Sequence, residues 1–163
     1  MLPEKSAWSV TDGPTWLEAE QRPSASKLAL RTWRAERLVR RSDCAAQARL
    51  ARPTIPIPRE ESIVEQRPFA SPAGFDSELV VGVEPSAEGV AGYAIVFGAS
   101  VGYCYAAVFT TTASGSGADQ EVAARLGIAV DRILSGVRAR SIDERAVRRR
   151  LVVTPKAAPS ETK

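Results

Sequence analysis

From Gly89 to Ala118 the chain carries no charged residue. A run this long must either be buried inside a folded domain or lie in lipid, and the order of its side chains decides between the two. Tyr93, Ile95 and Phe97 alternate with Ala94 and Val96. Tyr103, Tyr105, Ala107 and Phe109 then alternate with Cys104, Ala106 and Val108. Period-two alternation with aromatic and β-branched residues is the pattern of a strand.

The membrane reading has points in its favour. Val90–Phe109 is long enough to cross a bilayer as a helix, and Ala94, Gly98, Gly102 and Ala106 recur every four residues, as small residues do in packed membrane helices. Against it, the run has no leucine and is rich in Gly, Ser, Thr and Tyr. Its flanks are Glu84, Glu88, Asp119 and Glu121, with no basic anchor. Strands YAIVF and VGYCYAAVFTTT, separated at Gly98–Ala99–Ser100, are therefore expected, with Glu78–Glu84 (ELVVGVE) as a further strand ending at Pro85. Short Gly-containing connections favour an antiparallel meander.

The rest of the domain follows from periodicity. Val122, Leu126, Val130, Ile133 and Val137 make a helical stripe after the loop Ala113–Gly117, which predicts a helix over 119–137. Ser116 followed by Asp119 has the spacing of a capping box. A second start at Ser141 predicts a helix through Arg145–Arg150, or a last edge strand at Leu151–Val153.

Prolines divide the N-terminal half. Residues 1–23 read as a flexible arm in which Trp8 and Trp16 either dock on the domain or anchor a partner. In 24–52, Leu28, Thr32, Ala35, Val39, Ala46 and Leu50 share one helical face, with Arg31, Arg34, Arg37, Arg40 and Arg41 mostly opposite. Residues 53–77 hold alternating prolines and read as an extended linker. The expected architecture is α+β: a small antiparallel three- to four-stranded sheet with one amphipathic helix packed on it (78–153). An Arg-rich helix and a proline-rich linker precede it, and a disordered tail (154–163) follows.

What the chain lacks narrows its chemistry. It has no histidine, so Ser-His-Asp and Cys-His sites and histidine-bearing zinc sites are excluded. Cys44 falls in an Arg-rich segment and Cys104 in an apolar run, so the two need not meet, and Cys104 reads as a small buried hydrophobe. The loop ASGSGAD (113–119) departs from both phosphate-loop patterns. The acids Asp76, Glu78, Glu84 and Glu88 fall at strand ends and turns. No motif calls for a cofactor, and no catalytic residue stands out.

Charge is segregated: basic flanks (21–60 and 138–163) bracket an acidic centre (61–137). Arg34, Arg37 and Arg41 with Trp33, and Arg148, Arg149 and Arg150, are the candidate contacts for a partner or an anion. The best functional expectation is a non-catalytic protein-interaction or assembly module, with a protein partner or homo-oligomer. One alternative is a small membrane-associated subunit using 90–109 as a span or 24–52 as an interfacial helix. Another is a nonspecific nucleic-acid binder through the Arg-rich flanks. No apolar leader follows Met1, which favours the cytoplasm.

Overall fold

Tyr93–Phe97 and Tyr103–Phe109 lie at the paired centre of an antiparallel sheet, where Val96 stands opposite Ala107 and Ala94 opposite Phe109. The computed structural model describes residues 7–35 and 38–138. The strands are β1 (Ser9–Asp12), β2 (Leu17–Gln21), β3 (Ser26–Arg34), β4 (Ile63–Phe69), β5 (Asp76–Ser86), β6 (Gly89–Ser100) and β7 (Tyr103–Ala113). Helix α1 (Arg41–Ala51) joins β3 to β4, and α2 (Ala118–Ile128) follows β7 and runs on as a π-helical segment, Ala129–Leu134. The sheet order is β1-β2-β3-β7-β6-β5-β4.

Among the described residues the fold thus has a seven-stranded sheet and two helices, not three or four strands and one helix. The extra strands come from the segments expected to be an arm, a helix and a linker. Residues 26–34 are a strand because β7 offers a full ladder to it, from Lys27 opposite Thr110 to Arg34 opposite Tyr103. Leu28 is buried there as a strand residue, whereas Leu50, placed on the same helical face by spacing, is 85% exposed. Helix α1 is short and buries Cys44 and Ala48 instead. In the proline-rich segment Ile55 is buried, and β4 pairs with β5.

Val90–Phe109 is two strands and their turn, which removes the single-helix span. No helix among the described residues is long and apolar enough to cross a membrane. Residues 24–52 are not one continuous helix, so that interfacial element is absent as well. The turn between β6 and β7 falls at Val101–Gly102 rather than at Gly98, because Gly102 supplies the positive φ (73°) that the reversal needs. At the start of α2 the cap is Gly117 at φ 90°, with no side-chain cap from Ser116. The helix and edge strand expected beyond Ser141 lie outside the described residues.

Alternation distributes the core between two faces. Leu79, Val81, Ala94, Val96, Tyr105, Ala107 and Phe109 point to the α2 face and pack with Val122, Leu126, Val130 and Ile133. Tyr93, Ile95, Ala106 and Val108 point to the α1 face with Ala29, Ala48, Ile55 and Trp16. The two tryptophans of the expected arm therefore belong to the core, Trp8 on the α2 face and Trp16 on the other. A glycine on β6 makes room for α2: a Cβ at Gly92 would overlap Val122 and Leu126. Arg125 of α2 donates to the carbonyls of Ser24 (2.9 Å) and Thr112 (2.8 Å), tying the β2–β3 turn to β7.

Both sheet edges carry features that discourage further pairing. β1 has four residues, and β4 has a bulge between Ile63 and Glu65 and a proline at Pro68.

Candidate functional site

A single helix cannot cover one face of this sheet. Seven strands at about 4.8 Å spacing are roughly 30 Å wide. An eleven-residue helix is about 16 Å long and about 10 Å thick. Helix α1 lies close to the sheet because its contact residues are small, Ala48 and Cys44, both fully buried. Cys44 is bonded to Cys104 of β7 across 60 residues, fixing the helix to the strand beneath it. The two cysteines meet after all, brought together by the crossover of the β3–β4 connection.

Beside the helix the sheet stays partly open, and a groove of about 690 Å³ runs there, with Val80, Ile95 and Phe97 as its floor. Leu38 and Val101 stand at one end, 81% and 80% exposed. Pro58 lines the other. Arg59 bonds Glu84 at 3.1 Å, which sets that end towards the last residues of β5.

Two arginines of α1 line the groove, and their surroundings differ. Arg41 Nη1 is 2.9 Å from Asp76 Oδ1, and its Nη2 is 3.5 Å from Glu78 Oε1. Strand alternation puts those two acids on one face, so Arg41 faces two carboxylates. Arg49 has its guanidinium 5.0 Å from the centre of the Phe97 ring, and its Nε is buried without a hydrogen-bond partner. Burial draws its pKa below the ordinary arginine value, although a guanidinium stays charged.

The candidate contacts named from sequence are dispersed. Trp33 donates through Nε1 to Gln47 at 2.9 Å, and its ring lies 5.0 Å from the Arg31 guanidinium. Arg34 is exposed at the end of β3. Arg41 lines the groove. Arg37, Arg148, Arg149 and Arg150 lie outside the described residues. Arg49, Phe97, Leu38 and Val101 carried no signal in sequence that set them apart from other arginines and strand residues. Of the four acids noted at strand ends and turns, Asp76 and Glu78 converge on Arg41, and Glu84 is held by Arg59. Among the described residues no group of three or more His, Cys, Asp or Glu is placed to hold a metal ion.

No family model matches this chain, and no curated protein does. Among solved structures, a crystal structure from Bacteroides thetaiotaomicron VPI-5482 aligns at 12% identity and TM-score 0.37, over 73% of this chain and 41% of that one. The chain thus spans under half the length of that protein. A likeness at this level carries neither architecture nor activity across.

Proposed function

We propose that this protein is a non-catalytic binding module whose groove beside α1 holds an apolar segment of a partner protein. The observation that carries the reading is a cleft floored by half-buried Val80 and Phe97 beside the buried Ile95, with Leu38 and Val101 exposed at its end. The volume is that of a ligand-sized cleft, which typically runs from about 300 to 1,000 Å³. Large apolar side chains left in water beside an open cleft are a feature of docking surfaces. The ionisable groups lining it are arginines and two carboxylates already engaged by Arg41.

Nonspecific nucleic-acid binding has less support, because Arg41 is committed to Asp76 and Glu78, and Trp33 to Gln47. The Cys44–Cys104 bridge favours an oxidising compartment over the cytoplasm.

Selection from a phage-displayed random dodecapeptide library tests the reading. The account expects apolar sequences to be enriched on the native protein and to lose binding by at least tenfold to the L38D/V101D variant. Enrichment indifferent to that variant, or none at all, overturns it.

A further inference from the structure

We infer that the segment held in the groove carries an acidic side chain, received by Arg49. This rests on the binding role proposed for the groove. Three observations converge on Arg49. Its Nε is buried and has no hydrogen-bond partner. Among the described residues no carboxylate forms an ion pair with it. Its guanidinium lies 5.0 Å from the centre of the Phe97 ring, and among the described residues none of its nitrogens makes a hydrogen bond, so the two terminal nitrogens are the ones free to bond a carboxylate.

The contrast with Arg41 gives the groove its polarity. Eight residues of helix, about 12 Å, separate the two arginines along α1. At the Arg41 end Asp76 and Glu78 satisfy the cation. Three arginines (Arg40, Arg41 and Arg49) line the groove against those two carboxylates, so the unmatched positive charge is complementary to one anionic group. A cation drawn partly out of water and left unpaired is unfavourable, and an incoming carboxylate relieves that cost.

Position selects the source of the carboxylate. Phe97, with Arg49 over it, stands between the Val101 end and the Pro58 end of the groove, because Phe97 pairs with Glu78 midway along the lining stretch of β5. A chain passing through both ends therefore presents a side chain at Arg49, not a terminus. The expected ligand is an apolar stretch with one Asp or Glu within it.

Peptides selected from the random library provide the test, with the strongest resynthesised and measured by fluorescence anisotropy. Its acid-to-amide counterpart should bind about ten- to a hundredfold more weakly. Arg49→Met should produce a loss of similar size, the two changes together little more than either alone, and Arg49→Lys an intermediate loss. If binding is abolished by the L38D/V101D variant but tolerates both the amide peptide and Arg49→Met, the groove reading stands and this inference is overturned. If binding ignores L38D/V101D, both are overturned. The amide peptide needs no altered protein, so the inference remains falsifiable should Arg49→Met fold poorly.

Discussion

The ring of Tyr93 on β6 occupies the space that a side chain at Gly82 on β5 would need, and its hydroxyl lies 2.8 Å from Ser62 Oγ. Gly82 and Tyr93 stand directly opposite each other in the ladder. The missing side chain on one strand lets the tyrosine lie flat across it and reach Ser62 just before β4. The close approach thus links three consecutive elements at the β4 side of the sheet.

Gly82→Ala should therefore destabilise the protein by about 1–3 kcal/mol, the usual cost of overpacking. Urea unfolding measures the loss. Combined with Tyr93→Leu, the second change should cost less than it does alone, a coupling that additive behaviour would contradict.

The bridge between Cys44 and Cys104 closes a loop of 60 residues. Removing it with Cys44→Ala and Cys104→Ala should lower stability by about 2–4 kcal/mol. Alkylation of the unfolded, unreduced protein should find neither cysteine modified. Two labelled thiols would mean that α1 is held to the sheet by packing alone.

Tyr105 is buried on the α2 face against Phe75, with ring centroids 5.9 Å apart, and burial pushes its phenol well above the ordinary value. The sign follows from linkage. The unfolded chain releases this proton near pH 10 while the folded protein keeps it, so stability is full below pH 10 and falls as pH rises further. The slope from this group is about 1.4 kcal/mol per pH unit. Urea midpoints at pH 9 and pH 11 should fall further apart in the native sequence than in Tyr105→Phe. Equal differences would contradict the burial argument.

Two guanidinium groups approach the Trp16 ring, Arg31 at 5.8 Å and Arg52 at 5.4 Å, and Arg52 is also paired with Glu18. This stack joins the segment after α1 to β2 and β3. Trp16→Ala should cost about 3–5 kcal/mol. Hydrogen exchange should show the β1–β2 amides losing protection before those of Val80 and Ile95. Uniform loss across the sheet would contradict a local clamp.

How far the sequence reveals this architecture depends on how each segment is stabilised. Tyr93–Phe97 and Tyr103–Phe109 could be read as strands because both faces are apolar and each run alternates, and Val122–Ile133 as a helix because its stripe faces one core. β1 and β2 are four and five residues long and mostly exposed, so they lack a pattern of their own. Leu28, Ala35 and Val39 happen to match helical spacing, and only the ladder offered by β7 makes 26–34 a strand. Ile55 is a core residue inside what composition alone makes a spacer. The pairing of Cys44 with Cys104 depends on the route of the β3–β4 connection over the sheet, which local sequence does not encode. Arg49 differs from the other arginines through its buried, unpartnered Nε beside the Phe97 ring, which local sequence does not encode.

A second apolar cleft, of about 290 Å³, lies on the α2 face beside Val10, Leu17, Leu30 and Val137. It is the natural competitor to the groove beside α1. Two-dimensional ¹H–¹⁵N spectra of the labelled protein, titrated with the strongest selected peptide, separate the two. The account predicts that the amides of Arg49, Val80, Ile95, Phe97 and Val101 shift with the peptide while those of Val10, Leu17 and Leu30 stay in place. Shifts centred on Val10, Leu17 and Leu30, with Phe97 and Val101 unmoved, would contradict it.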